Sequence, residues 1–177
     1  MRLLDLVDRL GLVRARDVAK AGIPTVYLTR LVRAGALERV ARGLYTRASS
    51  PVGEHVSLAE VAKLAPRSVV CLLSALAFHG LGTQSPRRVW LALPHKAKPP
   101  MSAPVGLAVR MHPRVLAAGV VVHDVDGTPV PIFDPSKTIV DLFKFRSRVG
   151  LDVALEALRA YAGSAHRDAS GTAGPRA

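Results

Sequence analysis

The fold of the N-terminal part is decided by residues 22–45, "GIPTVYLTRLVRAGALERVARGLY". Proline is well tolerated at the first position of a helix, so Pro24 predicts a helix that runs to Ala34 and ends at Gly35. Beyond that glycine, the segment "ALERVARGLYTR" has apolar residues on both sides of Ala41 to Gly43, which predicts two short strands joined by a tight turn. This stretch therefore predicts a helix followed by a two-stranded ribbon.

Two further helices are predicted before this stretch. In residues 2–10 the apolar side chains recur at helical spacing on one face, and Gly11 ends the pattern. The following "RARDVAKAG" predicts a short second helix with Val18 directed inward. Three helices and a ribbon, in this order, are typical of a winged helix-turn-helix, so we predict that residues 1–47 form a DNA-binding domain of that kind.

The rest of the chain predicts a second domain. Residues 48–55 have the small, polar, Pro- and Gly-broken composition of a linker. Asp126-Gly127 predicts a hairpin, and Asp134-Pro135 predicts the start of a helix that runs through Phe145. The other predicted elements are a helix at 56–64, an apolar segment at 69–79, strands in "RRVWLAL", "VGLAVRMH", "GVVVHDV" and "TPVPIF", and a helix from 151 to 161.

These patterns together predict an α+β protein. The N-terminal winged helix-turn-helix is followed, in residues 56–162, by a small mixed α+β domain with a short antiparallel sheet. Residues 163–177 lack periodic apolar positions and are rich in Gly, Ala and Ser, so we expect a disordered tail there.

The charge of the chain favours a polyanionic partner. Twenty-five Lys and Arg against 13 Asp and Glu leave a net charge of +12, and about half of this excess lies in residues 1–47. Nucleic acid is a better match to such an excess than an acidic protein or a membrane surface.

The sequence also indicates where the protein is located. The single cysteine excludes an internal disulfide framework, and Asp5 and Asp8 interrupt a signal-peptide pattern. No run of about 20 apolar residues, as a membrane span needs, occurs. We therefore expect a cytoplasmic protein without a membrane partner.

The helix after Pro24 has one face suited to the major groove of DNA. On a helical wheel Leu28, Leu31 and Val32 fall within an arc of about 100° that faces the core. The opposite arc carries no acidic residue and consists of Val26, Thr29, Arg30 and Arg33.

Each of these residues has a known way to contact DNA. Arginine binds guanine bidentately, threonine contacts a base edge or a phosphate, and the Val26 methyl groups can meet a thymine methyl. The Tyr27 hydroxyl at the flank can reach a phosphate, while Arg39 and Arg42 on the ribbon are candidates for phosphate or minor-groove contacts. The alternative, an ordinary solvated helix surface, is less favoured because two helices precede this one and a basic ribbon follows.

Catalytic and metal-binding hypotheses have weaker support. Cys71 and His79, with Asp141 as an orienting group, suggest a thiol nucleophile, but an apolar run such as the one around Cys71 favours an inert buried thiol. Asp124 and Asp126 suggest a magnesium site of a nucleic-acid-processing enzyme, or simply turn residues before a glycine. The six histidines show no close pairing, so we predict no metal site. Because the other candidate residues also have simple structural explanations, we predict no cofactor and no catalytic residues.

A second basic segment, "SPRRVWLALPHKAK", leaves two interpretations open. Its cations can extend a nucleic-acid footprint or bind an acidic partner, or they can be solvated ends of a strand whose Trp90 belongs to the core. For the whole chain, a protein-interaction module that binds a toxin or another partner directly, without sequence-specific DNA binding, also remains as an alternative.

Three motifs resemble the AbiEi-type antitoxins, regulators of type IV toxin–antitoxin systems. They are the segment at 22–45 quoted above, "VVCLLSALAFHGLGTQSPRRVWLALP" and "PIFDPSKTIVDLFKFRSRVGLDVALEALRAY". The resemblance implies a transcriptional autorepressor that binds inverted repeats in its own promoter and counteracts a nucleotidyltransferase-like toxin. Because two winged helices read a palindromic site, we also expect a homodimer on DNA. It also implies a recognition helix and a wing, with candidate contacts at Thr25, Thr29, Arg30, Arg33, Arg39 and Arg42.

Overall fold

The computed structural model describes residues 2–48, 56–99 and 105–170. The N-terminal part contains three helices and three strands among the described residues. They are α1 (Leu3–Leu10), β1 (Val13–Arg14), α2 (Ala15–Lys20), α3 (Val26–Arg33), β2 (Leu37–Ala41) and β3 (Leu44–Arg47).

The three short strands form one antiparallel sheet in the order β1-β3-β2. Strands β2 and β3 are joined at Arg42-Gly43, where Ala41 pairs with Leu44 and Gly43 adopts a φ of +75°. Glycine tolerates this left-handed conformation, which explains the predicted tight turn. Strand β1 was not predicted, because two residues are too short to show an alternating pattern.

The three helices share a small core with this sheet. Seven buried apolar side chains form it: Leu3, Leu6, Val7, Val13, Val18, Leu28 and Leu37. Val18 is among them, as its helical spacing predicts. At the surface, the Arg47 guanidinium donates two hydrogen bonds, of 2.6 and 2.7 Å, to the Asp8 carboxylate. This ion pair connects β3 to α1.

The second part of the chain contains a five-stranded sheet and six helices among the described residues. Its elements are α4 (Val56–Leu64), β4 (Val69–Val70), α5 (Leu72–Phe78), β5 (Val89–Pro94), β6 (Val105–Met111), α6 (Pro113–Ala117), β7 (Val120–Val125), β8 (Thr128–Phe133), α7 (Pro135–Lys144), α8 (Arg146–Val149) and α9 (Leu151–Ser170). The α+β class is confirmed. None of the described helices has the length and apolar character that a membrane span needs.

The sheet is mixed, so the expected antiparallel sheet is wrong in part. In the order β6-β5-β4-β8-β7, the pairs β4/β5 and β7/β8 are antiparallel, whereas β5/β6 and β4/β8 are parallel. A parallel pair cannot be joined by a tight hairpin turn, so the turn signals that predict antiparallel neighbours do not predict these pairs. Strand β4 lies within the predicted apolar segment 69–79, where a continuous apolar run does not reveal a change from strand to helix.

Two local sequence signals are present as predicted. Asp126 and Gly127 adopt φ values of +50° and +73° in a two-residue turn, with Val125 paired to Thr128. Asp134 caps α7, since its side chain accepts a 2.7 Å hydrogen bond from the Lys137 backbone N–H.

The last helix extends further than the sequence pattern indicates. Helix α9 continues past Tyr161 to Ser170, so residues 163–170 of the expected disordered tail are helical. Apart from Gly163, this extension has no helix-breaking residue, and each added residue of an existing helix adds one hydrogen bond. Residues 171–177 of that tail, and residues 49–55 of the expected linker, lie outside the described part of the chain.

The N-terminal part packs directly on one face of the large sheet. Leu12 and Leu44 belong to the same buried cluster as Leu58 of α4 and Ile132 of β8, while α7 and α9 contribute to a second cluster on the other face. At Gly11, which has a φ of +63°, a Cβ atom would overlap the carbonyl oxygen of Asp126. The N-terminal helices therefore have a defined position against α4 and the β7–β8 turn.

Candidate nucleic-acid interface

Helix α3 presents an uncharged face to the core and a basic face to solvent. Leu28 is 1% exposed, and Leu31 and Val32 are half-buried against the same core. The opposite side, here called the α3 face, consists of five exposed residues: Val26, Tyr27, Thr29, Arg30 and Arg33. Thr25 precedes them as the exposed N-terminal flanking residue of the helix.

The α3 face has an internal aromatic–cation contact. The Arg30 guanidinium lies 5.6 Å from the centre of the Tyr27 ring, within the range of a cation–π interaction. This contact limits the orientations of the arginine while leaving its N–H donors exposed. Because the face contains no carboxylate, no acidic side chain on it competes with a partner for Arg30 and Arg33.

The β2–β3 hairpin places two more exposed arginines beside α3, which packs against β2. Arg39 lies on β2, where its Nε–H donates to the Ala41 carbonyl at 3.4 Å. The strand register shifts between Arg39 and Ala41, so a bulge separates this arginine from the turn that carries Arg42. The predicted division of the basic residues between helix and hairpin is therefore present in the structure.

The structure also brings Arg42 together with three cations that the sequence patterns did not single out. A cavity of about 280 Å³, here called the junction cavity, has four basic residues in its lining: Arg14, Arg16, Arg42 and Lys63. The hairpin turn reaches it because the Ala15 N–H donates to the Gly43 carbonyl at 3.0 Å. Lys63 comes from α4, and no local pattern relates it to residues 1–47.

Arg14 connects two of the segments that line the junction cavity, α2 and α4. Its guanidinium contacts both carboxylate oxygens of Asp17, at 2.8 and 3.0 Å, and its Nη1 donates to the Lys63 carbonyl at 2.7 Å. Burial disfavours the charged form of Asp17, but the hydrogen bonds from Arg14 outweigh it and lower the pKa of the carboxyl. Asp17 is therefore ionised and already paired.

The remaining cations of the junction cavity are available to an anion. The side chains of Arg16 and Arg42 make no hydrogen bond or ion pair with the described residues. Burial lowers the pKa of Lys63, and the opposing effect of the Asp17 carboxylate, itself partly offset by the positive charge of Arg14, does not reverse this. A phosphate in the cavity would favour the charged form of Lys63 and would lie beside Arg16 and Arg42 as well.

Comparison with known proteins identifies the N-terminal segment. Residues 1–48 match the AbiEi antitoxin family. The family is described as a transcriptional regulator, AbiEi antitoxin, and the match covers α1 to α3 and the hairpin. The resemblance to AbiEi antitoxins is therefore confirmed over this segment, here called the AbiEi-like segment.

The fold of most of the chain is similar to that of a protein of known structure. The crystal structure of the RV2827C protein from Mycobacterium tuberculosis superposes with a TM-score of 0.55 at 17% sequence identity. The similarity covers 80% of this chain and 58% of the other chain, and at this low identity it concerns the fold alone. No curated protein sequence matches this chain.

Outside the AbiEi-like segment, the residues considered for catalysis have structural roles. Burial raises the pKa of the Cys71 thiol well above its usual value, with a further contribution from Asp141, so the unreactive thiol form is favoured. His79 forms a 2.7 Å hydrogen bond through Nε2 with the Phe133 carbonyl oxygen. Asp141 is paired with Lys137.

The Asp124 and Asp126 pair belongs to a turn. Asp124 Oδ1 accepts a 2.9 Å hydrogen bond from the Gly127 N–H, and Asp126 occupies the first turn position. Within the described ranges, no three His, Cys, Asp or Glu side chains are grouped as a metal site would require. The turn interpretation explains both aspartates.

The second basic segment divides into two groups. Arg87 and Arg88 precede β5, whereas His95, Lys96 and Lys98 follow it. Six residues of strand separate the groups by about 20 Å. Because Trp90 also packs against the core, this geometry favours the solvated strand ends over a single binding surface.

Proposed function

We propose that the protein is a DNA-binding transcriptional regulator of the AbiEi antitoxin type, and that its N-terminal segment acts as a winged helix-turn-helix. The observation that carries the proposal is the α3 face, which exposes two arginines, a threonine and no carboxylate within the AbiEi-like segment. A helix of this kind has the diameter and the donor groups that the major groove accepts.

The α3 face supplies the base contacts in this proposal. Arg30 and Arg33 bind guanine O6 and N7 bidentately, and Thr29 contacts a base edge or a phosphate. Val26, which is 53% exposed, meets a thymine methyl group. Thr25 and Tyr27, at the edge of the helix, contact the phosphate backbone.

The hairpin is the wing, and its role is to hold the backbone of the DNA. Arg39 and Arg42 contact phosphates or the adjacent minor groove. The junction cavity extends these contacts, because Arg16 and Lys63 border the same space as Arg42. These residues contribute affinity for any sequence, whereas the α3 face contributes specificity.

The regulatory role follows from the family resemblance. Two copies bind inverted repeats in the protein's own promoter and repress the operon, since paired helix-turn-helix domains read palindromic sites. Residues 56–162 counteract a nucleotidyltransferase-like toxin in this proposal. No catalytic activity is assigned to the chain itself.

A binding experiment tests the proposal. A labelled duplex from upstream of the gene and a shuffled duplex of equal length are titrated with the protein at several salt concentrations. The upstream duplex is expected to bind more tightly, with affinity that falls steeply as salt rises because phosphate contacts release counterions. Equal affinity for the two duplexes at every salt concentration would contradict the proposed function.

A further inference from the structure

Helix α9 leaves a row of leucines uncovered. Leu151, Leu155 and Leu158 are 51%, 37% and 41% exposed, and their spacing of four and three residues places them on one line along the helix. The other side of the helix, with Val153, is buried in the core that α7 shares. These three leucines, here called the α9 stripe, are therefore an apolar surface that no described residue covers.

The charged residues beside the α9 stripe have a pattern of their own. Asp152 and Arg159 are seven residues apart, so both lie on the same flank of the stripe, two turns from each other. Among the described residues neither side chain has a hydrogen bond or an ion pair. One flank thus carries a negative charge at one end and a positive charge at the other.

This pattern is complementary to a second copy of itself. When two helices pack antiparallel, each flank faces the same flank of the other helix. With Leu155 near the centre of the pair, Asp152 of each copy lies opposite Arg159 of the other, and the symmetry forms this contact twice. A parallel pair offers no such contact, because the opposite flank carries Ala154 and Tyr161.

We propose that the α9 stripe joins two copies of this chain through an antiparallel, two-fold symmetric contact. An inverted repeat requires this two-fold symmetry, so the biological role of the contact rests on the proposed function. The contact itself can form whether or not the protein binds DNA. Three leucines and two charge pairs make a small interface, which is typical of weak dimers. Binding of both copies to one DNA molecule would then strengthen the pair through effective concentration.

Sedimentation velocity of the full chain without DNA, from low to high micromolar concentration, tests the contact. The wild-type protein is expected to pass reversibly from monomer to dimer as concentration rises. The double variant L155E/L158E is expected to remain monomeric, because it places carboxylates in the apolar contact. Val122→Glu is the matched control, since Val122 is 62% exposed on β7, away from α9, and this variant should dimerise as the wild type does.

Charge exchange tests the antiparallel arrangement itself. Asp152→Arg alone and Arg159→Asp alone should each weaken dimerisation by roughly three- to tenfold, since each replaces two attractive pairs by repulsive ones. An equimolar mixture of the two single variants should recover wild-type affinity as a heterodimer, and the double exchange D152R/R159D should recover it as a homodimer.

Three results would overturn the inference. They are a wild-type protein that stays monomeric at every concentration, dimerisation that is lost in Val122→Glu but kept in L155E/L158E, and single charge variants whose mixture does not recover affinity. A monomeric protein whose α9 stripe captures a different protein would assign the surface to that partner instead. Because these measurements use no DNA, their failure is distinct from failure of the proposed DNA binding.

Discussion

At the scale of single residues, the arginines of the AbiEi-like segment are expected to differ in effect. Arg30→Ala or Arg33→Ala should cost about 1–3 kcal/mol of affinity for the upstream duplex and leave binding to the shuffled duplex nearly unchanged, since both arginines are assigned to bases. Arg42→Ala should weaken both duplexes alike. Fluorescence anisotropy measures all three variants, with Arg87→Ala as the exposed control. Wild-type affinity in all three would show that DNA does not contact this surface.

Lys63 is the residue whose role depends most on tertiary structure. Lys63→Gln should reduce affinity for both duplexes and lower the slope of log affinity against log salt by about 1, because one phosphate contact is lost. Lys96→Gln, an exposed lysine after β5, is the control and should bind as the wild type does. An unchanged slope in Lys63→Gln, with a reduced slope in Arg42→Ala, would restrict the phosphate contacts to the hairpin.

At the scale of elements, the Arg14–Asp17 pair connects α2 to α4. Asp17→Asn should lower the free energy of unfolding by about 1 kcal/mol at neutral pH, because a charge-assisted contact that holds Arg14 on the Lys63 carbonyl is weakened. Chemical denaturation of both proteins at several pH values measures the effect.

The same pair predicts a dependence on pH. The pKa of Asp17 is lowered in the folded protein, so the stability that its charge supplies is complete above the unfolded pKa of about 4. This stability is lost as the pH falls through the lower, folded pKa. The difference between wild type and Asp17→Asn should therefore shrink below about pH 4, whereas a constant difference would mean that the carboxylate charge is not responsible.

At the scale of the whole molecule, Gly11 controls how the N-terminal part sits on the large sheet. Gly11→Ala should be clearly more destabilising than Gly22→Ala, although both glycines have positive φ values, of +63° and +73°. The left-handed backbone alone costs about 1–2 kcal/mol for alanine, and only at Gly11 would the new Cβ also overlap the Asp126 carbonyl. Thermal unfolding compares the two, and equal midpoints would show that the N-terminal part does not depend on this contact.

Local sequence patterns were sufficient wherever neighbouring residues determine the structure. The Asp126-Gly127 turn, the Asp134 cap and the division of α3 into a buried and a basic face all depend on residues a few positions apart. The sequence alone therefore determined the α+β class, the order of helices and hairpin in residues 1–47, and the candidate base-reading face.

Contacts between distant segments were decided only by the tertiary structure. Strands β1 and β4 have two residues each and exist as strands because partners pair with them, and the parallel pairs of the large sheet depend on how its connections cross. Lys63 likewise joins Arg16 and Arg42 only because α4 docks beside the hairpin. The physical reason is common to all three cases: pairing and docking are chosen by the burial of the whole core, which no short window of sequence contains.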